Sequence, residues 1–361
     1  MMRHIQLDGN TPSTTLPSEP RHDVAAAGAS GRHSATVTVS VVIPALNEEQ
    51  HLGRCLRAIE LLERPPGLHV AEVIVVDNCS TDGTAEVGRQ SGARVQTVSP
   101  GCPARARNAG ARCASGDWLA FVDADCVLTQ DWLAVCATHL LSDSEVAAVG
   151  GAMRCPDRSA SWVERSSYEL AHRSRSTAAQ QVRWLPTFNL LVRRSAFEAV
   201  EGFDESLATC EDCDLGYRLA EIGRLVLEPR AQAEHLGQSR SLGELFRREA
   251  WRTRGNVRLA MARPTDWSNW LSLVFPPLVV LGFLAAIGGL AAALWAASPV
   301  WPWLATIAAI SLAVVLLVVR RTSTANPMSL ARQFVVFVTY LAGRAAGLAW
   351  SFRRVERQEN A

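Results

Sequence analysis

Between Trp267 and Val319 the sequence contains no charged side chain. Core helices of soluble domains run to about 20 residues at most, and one membrane-spanning helix needs about 20 apolar residues. The run has room for two spans. Ser298-Pro299-Val300-Trp301-Pro302 interrupts it, which predicts spans at about 271–296 and 303–319 joined by a short turn. Trp295, Trp301 and Trp303 stand at that turn, as indole rings do at a bilayer interface. Arg252, Arg254, Arg258 and Arg263 precede the pair, Arg320 and Arg321 follow it, and the turn has no basic residue. By the positive-inside rule both ends, and the bulk of the chain, belong on the cytoplasmic side of a cell membrane.

A later apolar stretch, 333–352, contains Arg344, with Gly343 and Gly347 at the spacing that packs helices closely. It reads as a third span or as an interfacial or re-entrant helix. Upstream, Ser241 to Ala262 is Arg-rich with Leu242, Leu245, Phe246 and Trp251 among the charges, a pattern suited to lying on the inner membrane surface. The chain thus divides into a leader (1–35), an α/β region (36–240), a juxtamembrane helix (241–265) and a membrane region (266–361). The leader is rich in Ser, Thr, Pro and Gly and has no apolar segment, as disordered chains are.

In the α/β region apolar runs end repeatedly in polar or acidic groups. Val37 to Ile43 runs through Pro44 to Asn47-Glu48-Glu49, with Asn47 placed to cap the following helix. Val73 to Val76 ends at Asp77, and Trp118 to Val122 ends at Asp123-Ala124-Asp125. Alternating strands and helices predict a doubly wound, mostly parallel sheet. Its carboxyl edge, where such folds bind ligands, would carry Asn47, Asp77 and Asp123 together. Asp123 and Asp125 fall on one face of the chain. Two such carboxylates suit a hard divalent cation, Mg²⁺ or Mn²⁺, although the triplet alone fits an acidic turn equally well.

Composition removes several classes. A net charge of +1 argues against a nucleic-acid binder. All 36 basic residues are Arg, so a GxxxxGK phosphate loop is impossible, and no GxGxxG follows the first strand. The nine Cys are scattered, as reduced thiols are, and Cys210-Glu211-Asp212-Cys213 lacks the second pair that a zinc site needs.

Four ordered motifs now carry a resemblance. Val41-Val42-Ile43-Pro44-Ala45-Leu46-Asn47-Glu48-Glu49, Val75-Val76-Asp77-Asn78-Cys79-Ser80-Thr81-Asp82-Gly83-Thr84, Ala106-Arg107-Asn108-Ala109-Gly110 and Phe121-Val122-Asp123-Ala124-Asp125 resemble those of inverting glycosyltransferase family two, from about Val37 to about Asn256. The resemblance implies a GT-A fold followed here by transmembrane helices, and a nucleotide-sugar donor. It implies roles residue by residue. Asp125 binds the metal, with Asp123 on metal or ribose. Pro44, Asn47, Glu48 and Asp77 line the base and ribose, and Arg107 meets base or diphosphate. His235, in a loop after the strand Leu225 to Leu227, is a late metal ligand. Glu211-Asp212 opens a helix with Leu215, Leu219 and Ile222 on its apolar face, Asp212 being the base and Glu211 its helper.

Gln180-Gln181-Val182-Arg183-Trp184 fits the QxxRW pattern of processive members. It precedes the Glu-Asp motif instead of following it, so processivity has no support. Tethering to the inner leaflet points to a lipid-linked glycan acceptor of polysaccharide or envelope synthesis. A catalytically silent nucleotide-sugar-binding scaffold is the competing reading. A sugar-phosphate nucleotidyltransferase is disfavoured by its missing Gly-rich basic loop.

Overall fold

The computed structural model describes residues 36–154, 157, 159–171, 177–322 and 326–359, and the 1–35 leader lies outside them. Nine strands form one sheet, in the order β3-β2-β1-β4-β8-β6-β9-β5 with β7 beside β9. The first four are β1 (Val37–Ala45), β2 (Leu68–Asp77), β3 (Arg94–Thr97) and β4 (Trp118–Val122). They pair in parallel through β2–β3, β1–β2 and β1–β4. The Val- and Ile-rich cores of β1, β2 and β4 are buried on both faces, as central parallel strands require, while β3 lies at the sheet edge and is partly exposed. The linking helices are α1 (Glu49–Glu60), α2 (Thr84–Gln90) and α3 (Pro103–Cys113).

Beyond β4 the sheet becomes mixed. The strands there are β5 (Cys126–Leu128), β6 (Val146–Met153), β7 (Gln180–Val182), β8 (Asn189–Arg193) and β9 (Arg224–His235). β8 runs antiparallel to β4 and β6, and β9 is parallel to β6 but antiparallel to β5 and β7. The expectation of mostly parallel pairing therefore describes the first half only. A β8 inserted antiparallel beside β4 lets one sheet carry both halves of a cleft at the end of β4. Between these strands stand α4 (Trp132–Ser142), α5 (Trp162–Ala171), α6 (Arg194–Ala199) and α7 (Glu211–Leu219). Helix α5 and strand β7 follow one another along the polar stretch 161–182.

Glycine sets how closely α3 approaches the sheet. A Cβ on Gly110 would overlap Val42 Cγ1 and lie 2.9 Å from Val76 Cγ2.

After β9 the chain is helical: α8 (Leu242–Arg252), α9 (Asn256–Ala262), α10 (Trp267–Trp295), α11 (Trp301–Arg321) and α12 (Pro327–Glu359). Among the described residues, α10 and α11 alone are long and apolar enough to cross a membrane. A soluble core helix would be buried, yet only 11% of each apolar window is. The third apolar segment belongs to α12. It packs on α8 instead of standing free, because Gly343 and Gly347 admit the α8 backbone: a Cβ at 343 would lie 2.7 Å from Phe246 O, and one at 347 would overlap Ala250 O. The small-residue spacing thus serves the contact with the juxtamembrane helix. Phe337, Tyr340 and Leu341 of α12 join Val314 and Val318 of α11, Leu245 of α8 and Val163 and Leu170 of α5 in one buried cluster.

Gly110→Val should cost about 1–3 kcal/mol of stability by overpacking, read as a fall of several degrees in thermal midpoint. Gly53→Ala, whose methyl meets only Val87 Cγ1 at 3.7 Å, should raise the midpoint by removing a flexible residue from α1.

Candidate active site

The carboxyl ends of β1, β2 and β4 meet as expected, and side chains from their loops lock them together. Asn47 takes a left-handed backbone (φ 56) and does not cap α1, whose N-cap is Glu48 with no side-chain cap bond. Its Oδ1 instead accepts from Thr81 N at 2.8 Å, while Asn47 N donates to Ser80 Oγ at 2.9 Å. Glu49 Oε2 accepts from Gly83 N at 3.0 Å, tying the β1–α1 and β2–α2 loops a second time. Asp77 is 4% exposed, and its Oδ1 accepts from Ser80 N at 3.0 Å. Its carboxylate shapes the turn that follows β2. Pro44 sits in β1 opposite Val76.

At the end of β4 the acids gather. Asp123 does not stand free: Arg107 Nη2 donates to its Oδ1 at 2.7 Å, and Arg107 Nη1 donates to Glu211 Oε1 at 2.9 Å. Arg107, expected on base or diphosphate, is committed to these two carboxylates. It is 4% exposed; burial opposes its charge, but Asp123 and Glu211 more than compensate and hold it protonated. A planar guanidinium with two donor edges suits such a bridge. Its neighbour Asn108 missed a role in the sequence reading. Nδ2 donates to Phe203 O at 2.9 Å and Oδ1 accepts from Phe203 N at 3.0 Å, which clamps the segment leading to Glu211 onto α3.

Asp212 follows Glu211 at the start of α7, and its Oδ1 accepts from Cys213 N at 2.8 Å. Burial, then Glu211, push its carboxyl up to about 6, against the pull of the Cys213 N–H and Arg107. One side borders an apolar gap too narrow for water, lined by Leu185, Leu190, Leu215, Leu219 and Leu225. That surrounding is the source of the desolvation. Leu215 and Leu219 form the buried face of α7, while Ile222, expected with them, lies beyond the helix end and is 54% exposed.

His235 is not in a loop: β9 extends to it, and it pairs in register with Cys126 of β5. Its Nδ1 lies 3.3 Å from Asp125 Oδ2, yet it is a buried nitrogen without a hydrogen-bond partner. Ligand atoms of Asp125, Cys126 and His235 lie within 4.8 Å of one another. Burial raises the Cys126 thiol well above its usual range, so it stays protonated and is a poor ligand. Desolvation lowers His235 against the pull of Asp125 and Asp123, favouring the neutral imidazole that can ligate. Asp125 and Glu48 are both raised, chiefly by burial, and Asp123 adds to both shifts. Glu48 meets His51 Nδ1 at 3.0 Å, a partner not anticipated. Carboxylates that repel one another beside an orphaned imidazole nitrogen fit a divalent cation. Gly237 completes the setting, because a Cβ there would overlap Asp125 Oδ2.

The QxxRW-like segment lies elsewhere. Gln180–Val182 is β7, paired with β9, and Trp184 packs with Cys213, Tyr217 and Leu259. The eight described cysteines, Cys210 and Cys213 included, are free thiols.

Residues 40–200 match the model of Glycosyl transferase family 2. Glycosyltransferase AglE of Haloferax volcanii is 29% identical over 255 residues, covering 66% of this chain and 81% of AglE. The pre-mycofactocin glycosyltransferase of Mycobacterium tuberculosis is 31% identical over 252 residues, which span 65% of this chain but only 47% of that protein. Among solved structures, mannosyltransferase PcManGT of Pyrobaculum calidifontis, in complex with GDP-Man and Mn²⁺, superposes with a TM-score of 0.60 at 22% identity, over 87% of this chain and 86% of its own. At that identity the likeness carries the GT-A fold.

Arg107→Met should lower the thermal midpoint, since removing one partner of a buried ion pair costs about 3–5 kcal/mol. Adding Asp123→Asn and Glu211→Gln should recover at least half of the loss; no recovery would mean that packing, not charge, is the cause.

Proposed function

We propose that this chain, a glycosyltransferase carrying a family 2 domain, moves a sugar with inversion from a nucleotide-sugar to a lipid-linked acceptor, with Asp212 as the base. The reading rests on one observation: Arg107 joins the acid at the end of β4 to the acid pair that opens α7. In the ionised state Asp212 accepts the proton of the acceptor hydroxyl as that oxygen attacks the anomeric carbon. The bond from that carbon to the diphosphate breaks on the opposite face, and its electron pair leaves with the nucleoside diphosphate. Arg107 grips Glu211 and so holds the first turn of α7, and Asp212 with it, at a fixed distance from the donor.

Asp125 and His235 would hold a Mg²⁺ or Mn²⁺ ion, which supplies positive charge to the leaving diphosphate when bound. The similarly folded mannosyltransferase was solved with GDP-Man and Mn²⁺, in keeping with this assignment. Asn47, Glu48, Asp77 and Pro44 would frame the base and ribose.

Two long, outward-facing apolar helices support a multi-pass membrane protein, with the Arg residues at both ends of the pair favouring a cytoplasmic catalytic region. An active site tethered to the inner leaflet is suited to a glycan carried on lipid. Incubating membranes with labelled UDP-, GDP- and dTDP-sugars and extracting the lipid tests donor and acceptor together. Label appearing only in water-soluble product would sink the lipid assignment.

A base pushed up to about 6 predicts a kcat/KM that is flat at neutral pH and falls tenfold per unit below about 6. Asp212→Asn should remove transfer by at least about a thousandfold while sparing nucleotide binding, which a silent scaffold would not distinguish. The stability consequence has the opposite sign. The folded value lies above the unfolded one, so Asp212 stabilises the fold when protonated, fully so below its unfolded pKa. That contribution is lost as pH rises through about 6. At pH 7 Asp212→Asn should therefore melt no lower than the parent.

Chelation should abolish transfer, and added Mn²⁺ or Mg²⁺ should restore it. His235→Ala should raise the Mn²⁺ concentration for half-maximal activity about tenfold or more. Full turnover in chelated buffer would contradict the metal assignment.

A further inference from the structure

His51 has no task in the reaction as described. It stands in the first turn of α1, and its Nδ1 lies 3.0 Å from Glu48 Oε2. Glu48 is the N-cap of α1, where a side chain ordinarily accepts from the backbone N–H groups of the first turn, yet it makes no such bond. Its carboxylate meets the imidazole instead. Its backbone is fixed independently, since Glu48 N donates to Thr84 Oγ1 at 2.8 Å and Thr84 is fully buried. Only the side chain is left to be directed.

The surroundings explain why it needs direction. Burial raises the Glu48 carboxyl, the bond from His51 draws it down, and the charges of Asp125 and Asp123 raise it again. Helix α1 lies over the turn that bears those two acids. Cys55, one helical turn after His51 on the same face, donates from Sγ to Asp123 O at 3.6 Å. A carboxylate beside two others is driven away from them, or drawn to whatever cation they bind. A hydrogen bond from Nδ1 fixes it against both. An ionised carboxylate only accepts, so the bond places a proton on Nδ1. It also engages one oxygen only: among the described residues nothing donates to Glu48 Oε1. The Glu48 and His51 side chains are 27% and 35% exposed, so neither is sealed in the core.

We propose that His51 is a positioning residue for nucleotide recognition, holding the Glu48 carboxylate so that its free oxygen accepts a hydrogen bond from a ribose hydroxyl of the donor. This rests on the assignment of Glu48 to base and ribose within the glycosyl-transfer reading, and it narrows that assignment to the sugar of the nucleoside. A carboxylate oxygen selects for a hydroxyl because it offers no donor of its own. A nucleoside without that hydroxyl leaves the oxygen unpaired, at a cost in affinity. The selection is sharp only if the carboxylate is in place before the donor arrives, which spares the donor the cost of ordering it.

The test uses the full chain in detergent micelles with Mn²⁺ present, and UDP, GDP and their 2′,3′-dideoxy forms as probes. The parent should bind its preferred ribonucleotide about fivefold or more tightly than the dideoxy form. His51→Leu should weaken the ribonucleotide by a similar factor and leave the dideoxy form within twofold, which erases the preference. His51→Asn, whose amide nitrogen donates from near the place of Nδ1, should recover part of it. Glu48→Ala, at a cap position that makes no side-chain cap bond, should erase the preference by itself, and adding His51→Leu to it should change the affinity less than twofold. In turnover His51→Leu should raise the donor KM and keep kcat within twofold, as for a contact equally present in ground and transition states. The thermal midpoint checks that the variants fold. A loss shared equally by the ribose and dideoxy nucleotides overturns the proposal, as do additive losses in the double variant, since either would give His51 a merely structural part. If the parent prefers the ribonucleotide and His51→Leu keeps that preference, this inference alone fails. If the parent shows no such preference, the assignment of Glu48 beneath it fails, and this inference with it.

Discussion

One guanidinium holds the candidate active site together. Arg107 reaches Asp123 with one nitrogen and Glu211 with another, joining residues that belong to opposite halves of the domain. Without it, Asp123, Asp125, Glu48, Glu211 and Asp212 would press negative charge into one partly buried space. The backbone makes the bridge possible. Gly110 lets α3 lie directly on β1 and β2, and Asn108 pins the Phe203 segment to the same helix. Three neighbouring residues of one helical turn thus set the packing distance, the charge balance and the position of the segment that leads to α7.

The charges divide into those that are paired and those left uncompensated. Asp123 and Glu211 have a partner that remains protonated, whereas Asp125 and Asp212 are raised by burial without a full counter-charge. A fold selected for stability alone would neutralise both. The two uncompensated acids are those assigned to metal and base, roles that need an open lone pair. The same separation of environments lets similar carboxylates take different tasks in one site.

Much of this was legible beforehand. The strand-then-acid rhythm gave β1, β2 and β4 with their carboxyl edge, because fully buried strands must be apolar and their ends need not be. The charge-free run between Trp267 and Val319 yielded α10 and α11 for an equally simple reason. Less legible were features fixed by contacts distant in sequence. Asn47 read as a cap by its position alone, but its amide binds Thr81 across a loop. Arg107 read, by resemblance, as a partner of base or diphosphate, since nothing local announces carboxylates 16 and 104 residues away. His235 read as a loop residue because Pro229 and Arg230 interrupt the apolar run, while the sheet continues through a register irregularity. The antiparallel insertion of β8 had no local signature either, since its Asn-Leu-Leu-Val-Arg sequence suits both directions.

The C-terminal helices have a similar logic of proximity. An arginine in an apolar stretch invites reading as a flaw in a spanning helix, and Arg344 is better understood from its partner. Gly343 and Gly347 bring α12 against the α8 backbone, and at that distance Arg344 reaches Glu249. Thr209, just before the Glu211-Asp212 pair, donates to Arg252 O through its hydroxyl at 2.9 Å, and its backbone is met by Gly255 with no room for a side chain. The loop that leads into the candidate base is therefore seated on the same helical group that holds the Glu249–Arg344 pair. Because α8 and α12 also share a buried cluster with α10 and α11, a continuous chain of packed, ion-paired contacts runs from those apolar helices to the start of α7. A site joined in this way would suit chemistry at a surface, where the helices assigned to the membrane also position the candidate base.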